Sequence, residues 1–284
     1  MELFEWLTAP LSYGFMQRAL QAAILVGIIC PVIGSFMVLK GLSFFGDALS
    51  HAILPGVVIT YLLQLPLLVG ALLSAIVATV TIGFISRRSD VKEDTAIGIV
   101  FAGAFALGVA LLSTVRSYAV DLTHILFGDV LGVAQADIWL MLGLGVLVLG
   151  TVLLFYKELL VVTFDPMLAV VLRLPAGALQ YLLLGLIALT VVISLQTVGI
   201  ALVLATLVTP AAAAQLLTRR LPTMMAVAAL LGVSANVTGL YLSYYANIAS
   251  GPAMVLVSTF FFLMIFLFAP ARGMIWRRAY AQAR

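Results

Sequence analysis

Apolar stretches of about twenty residues follow one another along almost the whole chain, and this repetition constrains the fold more than any other feature. A helix of that length, rising about 1.5 Å per residue, crosses a hydrocarbon core of roughly 30 Å. Set against the Gly, Pro and charged breaks, the pattern predicts spans near 15–39, 42–62, 65–85, 95–115, 137–155, 177–195, 198–217, 222–244 and 251–269. The turns at 40–41, 63–66 and 195–198 are short, so nine spans become eight if one adjoining pair is a single broken helix. Hydrophobic residues make up 64% of the 284 and charged residues 9%, against roughly 25% charged in a soluble domain. A β-barrel would alternate in polarity every second residue, which these runs do not. The expected fold is an all-α integral membrane bundle of 8–9 helices, one transmembrane domain over 1–284 with no second domain, long linker or low-complexity tract.

The basic residues give an orientation. Lys40, Arg87, Arg88, Lys92, Lys157, Arg173, Arg219, Arg220, Arg272, Arg277, Arg278 and Arg284 fall on one side of the predicted spans, leaving Arg18 and Arg116 for the other. The first side is expected to be cytoplasmic and to carry the C-terminus; nine spans would put the N-terminus outside. The net charge of +3 therefore reports topology, and no nucleic-acid partner is expected. The opposite loop at 116–136 holds Asp121 and Asp129, with Asp137 at its edge, and suits an external partner; His124 in that loop reads as an ordinary surface histidine. Cys30 is the single cysteine, so an intramolecular disulfide is excluded. Residues 1–14 contain Glu2 and Glu5 and no basic segment, so a cleaved signal peptide is not expected.

One ionisable pair lies within a predicted span: Asp47 and His51 in LSFFGDALSHAILPGV. Four residues apart, they share one helix face and stand about 6 Å apart along the axis. An ionisable group inside a membrane costs at least roughly 2.5–3.5 kcal/mol, so it faces a cavity or a partner. Carboxylate oxygen with imidazole nitrogen suits first-row divalent metals. Two ligands are too few alone; a homodimer with this helix at its two-fold axis would supply four. The same residues also fit an internal hydrogen bond or a proton relay. Gly46, Ala48, Ser50, Ala52 and Gly56 are small and allow close helix approach. Gln196, Thr206, Thr209, Gln215, Asn236 and Thr238 are further polar groups in or near spans, more readily helix-to-helix bonds than path lining.

The segment YKELLVVTFDPMLAVVLRLPAG interrupts two spans on the cytoplasmic side. Asp165 followed by Pro166 reads as a helix start, with Asp as cap and Pro in the first turn. Pro175 and Gly177 end the stretch. A short helix at about 163–174 is a grip for a motor subunit or, alternatively, a membrane-surface helix.

At these residues the chain resembles the ABC-3 family of metal-importer permeases, the manganese, zinc and iron group. FFGDALSHAILPGV, KEDTAIGIVFAGAFALGVALLS, DLTHILFGDVLGV, VGIALVLATLVTPAAAAQLLTRRL and GLYLSYYANIASGPAMVLV match that family in order and spacing over nearly the whole length. The resemblance implies a type II ABC importer fold, a homodimer in the bacterial cytoplasmic membrane, two cytoplasmic ATPase subunits and an extracytoplasmic metal-binding protein. It implies that Asp47 and His51 touch the ion in transit, and that the loop carrying Asp165, Pro166, Ala169, Arg173 and Pro175 is the coupling helix. Arg173 stands where a small residue is expected before Leu-Pro. No permanently bound cofactor is implied. The cargo is a divalent metal, with manganese favoured by the SHAILPG segment, iron next and zinc the alternative.

The expected mechanism is alternating access, with weak binding at a pair that acid would protonate and so disable. The sequence has no Gly-rich loop ending in Lys and Ser or Thr, so ATP hydrolysis is assigned to a separate ATPase rather than to this chain. A proton-coupled carrier using the pair as its relay is the rival from another class. An intramembrane metalloprotease is disfavoured because the sequence lacks a His-Glu-x-x-His pattern.

Overall fold

A computed structural model of the protein describes residues 8–88, 91–114, 130–199 and 203–269. Among these residues the structure is helical throughout, without a strand. In chain order the helices are α1 (Gly14–Lys40), α2 (Ser43–Ala52), α3 (Leu54–Leu62), α4 (Leu67–Arg88), α5 (Glu93–Leu112), α6 (Gln135–Leu154), α7 (Tyr156–Phe164), α8 (Pro166–Val171), α9 (Ala176–Val198), α10 (Val203–Leu217), α11 (Leu221–Ala246) and α12 (Ser250–Phe268).

Eight segments are long and apolar enough to cross a membrane, counting α2 and α3 as one span over 43–62. The predicted span at 198–217 differs: its described helix, α10, has 15 residues, about 22 Å of rise against a core of roughly 30 Å. It sits inside the bundle, packed on α1, α11, α12 and α2, with Val203, Leu207, Pro210, Ala211 and Ala214 buried. Protein neighbours thus surround the described part of this segment on several sides.

Two groups of helices make up the bundle. In one, α1 packs against α10 and α11, and α12 closes on α10 and α11; in the other, α2, α3, α4 and α5 pack together. The central helix α9 touches α1, α2, α4 and α6 and joins the groups. Lipid supplies no hydrophobic drive for helix association, so contact depends on close approach and polar bonds. Gly27 on α1 meets Gly232 on α11 so closely that a side chain on either would overlap the other helix's backbone. One turn away, buried Asn236 donates its Nδ2 hydrogen to the Ala23 carbonyl at 3.0 Å. Of the other polar residues, Thr206 bonds its own helix at Val203 and Thr238 is exposed. The Gln196 side chain lies outside the described residues.

Local signals set the helix ends. Gly41 takes φ +71°, and the amide of Leu42 closes the turn on the Met37 carbonyl at 2.9 Å, a glycine-terminated helix end. Pro55 has no amide hydrogen for the carbonyl of His51, four residues earlier, and its ring crowds that carbonyl. The span over 43–62 accordingly breaks at Ile53. Near the start of α1, Arg18 donates its Nε hydrogen to the Val133 carbonyl at 3.1 Å, which gives this exception to the basic-side pattern a structural task. Asp137, expected as part of an acidic outer surface, instead accepts from the Ala134 amide at 3.1 Å and caps α6. Arg116, Asp121, His124 and Asp129 lie outside the described residues, as do Arg272, Arg277, Arg278 and Arg284.

Candidate metal pathway

Asp47 and His51 both sit on α2, in the last two turns before the break that Pro55 imposes. The C-terminal end of a helix carries partial negative charge, which favours a cation there. His51 Nε2 lies 3.8 Å from Asp47 Oδ1, too far for a hydrogen bond. Among the described residues neither side chain makes a hydrogen bond. The internal Asp–His hydrogen bond that was one reading of the sequence is therefore not formed in this structure. Metal bonds of about 2.1 Å to nitrogen and to oxygen together reach about 4.2 Å, so one ion can touch both atoms.

The two side chains are 24% and 28% exposed, His51 and Asp47 respectively. On this flank α2 packs against α5, whose own surface is largely open, with Ile99, Leu107 and Val109 all exposed. Lipid is a poor neighbour for a carboxylate and an imidazole. The other faces of α2 are closed: Phe45, Gly46, Ala48, Leu49 and Ser50 are buried, and the Ser50 hydroxyl donates to the Gly46 carbonyl at 2.7 Å. The small residues serve those closed faces. On α3, Gly56 lies against Gly70 of α4 so tightly that neither tolerates a side chain, and Ser74 donates to the Ala52 carbonyl at 3.2 Å. Only the face bearing Asp47 and His51 stays open. Among the described residues no cluster of three or more His, Cys, Asp or Glu forms within one chain.

An aromatic wall beside the pair was not anticipated. The His51 ring stands edge-on to Phe101, with centroids 5.6 Å apart at 60°, and to Phe105, 5.4 Å apart at 80°. Phe44 meets Phe101 edge-on at 6.1 Å. Phe101 and Phe105 are four residues apart and share a face of α5. That spacing was visible in the sequence, but the run around them is uniformly apolar and the partner lies on another helix.

The segment expected on the cytoplasmic side forms two helices rather than one stretch. The chain breaks at Phe155, continues as α7, and turns again at Asp165 into α8. Asp165 Oδ1 accepts from the Met167 and Leu168 amides at 3.0 Å each, and Pro166 takes the first position, as the sequence indicates. Thr163 and Phe164, counted in the expected helix at 163–174, belong to α7. Ala169 is fully buried beside Val162 and Leu179, anchoring α8 on α7 and α9. Pro175 caps the start of α9. The outer side of α8 is apolar and open: Met167 and Val171 are each 75% exposed. Beside it runs a groove of about 490 Å³ bordered by Tyr156, Phe164, Leu168, Arg219, Arg220 and Leu221.

Arg173 adopts φ +56° just past α8, and the amide of Leu174 bonds the Ala169 carbonyl at 2.9 Å. This is the position where helices prefer glycine, which explains why a small residue is expected there. A left-handed conformation costs an L-residue roughly 1–2 kcal/mol, partly offset because glycine gains about 0.4–1 kcal/mol of unfolded-chain freedom. Arg173→Gly is expected to raise the melting temperature of the purified protein by about 2 °C, as read by thermal unfolding in detergent.

Comparison with known proteins agrees with these features. The family model of the ABC 3 transport family matches residues 12–269. The chain is 49% identical over 267 residues to the manganese transport system membrane protein MntC of Halalkalibacterium halodurans, covering 94% of this chain and 91% of that protein. It is 42% identical over 266 residues to the chelated iron transport system membrane protein YfeD of Yersinia pestis, covering 94% and 89%. Its fold superposes on a chain of PsaBC from Streptococcus pneumoniae, solved in complex with Fab, with a TM-score of 0.87 and 37% identity over 99% of this chain and 100% of that one. With the family match spanning nearly every helix, the chain belongs to the ABC 3 transport family.

Proposed function

We propose that this multi-pass membrane protein is the permease subunit of an ATP-driven importer, and that it passes divalent manganese, with ferrous iron as a second cargo. The observation that carries this reading is the open Asp47–His51 pair, 3.8 Å apart on a broken membrane span and without a hydrogen bond among the described residues. Two copies facing each other across α2 and α5 bring two carboxylates and two imidazoles to one ion. The second copy also shields these groups from lipid, which removes a penalty of at least roughly 2.5–3.5 kcal/mol per ionisable group. The MntC and YfeD relatives support manganese and iron as cargo.

Energy comes from a separate cytoplasmic ATPase dimer that docks on α8. Its apolar outer side, with Arg219 and Arg220 across the neighbouring groove, offers a grip for that partner. An extracytoplasmic metal-binding protein delivers the ion to the opposite side. The protein sits in the bacterial cytoplasmic membrane with its C-terminus inside, the side of α8 and of most basic residues.

Two carboxylates and two imidazoles do not by themselves favour manganese over zinc, since zinc binds such donors more tightly. Selectivity then rests on geometry and on release. Uptake of radioactive manganese by vesicles holding the assembled transporter and its loaded binding protein tests the cargo. Uptake of radioactive ferrous iron is expected to exceed that of radioactive zinc in the same vesicles. Zinc uptake faster than manganese uptake would move the assignment to zinc.

A further inference from the structure

We infer that Phe101 and Phe105 are positioning residues for metal passage, holding the His51 imidazole edge-on so that Nε2 stays turned toward Asp47. The inference rests on Asp47 and His51 being the pathway ligands. A metal-binding histidine is normally oriented by a hydrogen bond from its other ring nitrogen to a carboxylate or carbonyl, which also raises its basicity. Among the described residues His51 has no such bond. Ring contacts take that place: two phenyls approach at 5.4 and 5.6 Å, within the range of favourable edge-to-face pairs. The phenyls steady each other, stacked at 5.9 Å and 20°, and Phe44 abuts Phe101 from α2 itself.

This arrangement has a chemical consequence suited to transport. An apolar clamp fixes the direction of the ligand nitrogen, and so the entropy cost of binding stays low. It adds no charge and accepts no proton, so it does not strengthen the metal bond as a carboxylate partner would. The site gains orientation without tight retention, and the ion can leave. Because the clamp sits on α5 and the ligands on α2, a small shift between these helices releases the ring.

The chain has two histidines, His51 and His124, so a sample with isotope-labelled histidine in lipid nanodiscs gives two sets of ring signals, and His51→Gln assigns them. Ring currents should displace the His51 signals from free-histidine positions in the wild type and in Phe105→Tyr, which keeps a ring. In Phe101→Leu/Phe105→Leu, which keeps apolar bulk, the signals should return to free-histidine positions. In the assembled transporter the double leucine variant should show about tenfold poorer manganese uptake at low concentration, through a raised KM more than a lowered kcat, with Phe105→Tyr near wild type. Unshifted wild-type signals, or normal uptake by the double leucine variant, would overturn the inference. Normal uptake by His51→Gln would instead remove the pathway reading, and with it the transport role of the clamp, even where the signals show the ring held.

Discussion

Asp47→Ala and His51→Ala should each lower ATP-driven manganese uptake by more than about a hundredfold, while leaving the permease folded, paired and bound to its ATPase. In the proposed pair of copies, each substitution would remove one ligand type from both and leave two ligands of four. Loss of groups that merely orient metal ligands already costs 10–100-fold, so loss of the ligands costs more. Folding is spared because neither side chain is fully buried and neither makes a hydrogen bond among the described residues. Vesicle uptake, with size-exclusion and ATPase measurements on the same samples, separates lost passage from lost assembly. Uptake near the wild-type level in either variant would return the pair to a structural role.

The second large effect is expected at the opposite functional surface. Met167→Asp/Val171→Asp places two carboxylates on the exposed apolar side of α8. Burying such side chains contributes about 1.5–3 kcal/mol each, so ATPase affinity should fall at least about a hundredfold. Residues holding α8 in place are untouched: Asp165 still caps it and Ala169 still anchors it on α7 and α9. The purified permease should therefore melt at the wild-type temperature but no longer capture its ATPase. Retained capture would show that the motor grips another surface.

Much of this architecture could be read from the residues alone, because the strongest forces acting on it are local or one-dimensional. A membrane span needs little more than length and apolarity, so predicted and observed spans differ at most ends by only a few residues. The Asp165–Pro166 pair announced α8, whereas the span at 42–62 was expected unbroken and its break before Pro55 appears only in the fold. The start of α7 was not legible, since the chain turns at Phe155 with neither Gly nor Pro to mark it. α10 was expected as an ordinary span because apolarity does not show that a helix is surrounded by protein. The expected Asp47–His51 pairing on one face appears in the fold, whereas the aromatic wall did not emerge from the sequence. Phe101 and Phe105 look like any membrane phenylalanines until α5 is laid against α2. Arg18 and Asp137 were likewise read by charge, and their bonds to backbone groups appear only in three dimensions.

The most direct test of an ATP-driven metal permease is manganese uptake into proteoliposomes rebuilt from this chain, its ATPase and the loaded binding protein, with and without ATP and with a protonophore. Accumulation that requires ATP hydrolysis and persists when the proton gradient is collapsed is the predicted result. Accumulation without the ATPase, driven by the proton gradient and abolished by the protonophore, would contradict the account and make Asp47 and His51 the relay of a proton-coupled carrier.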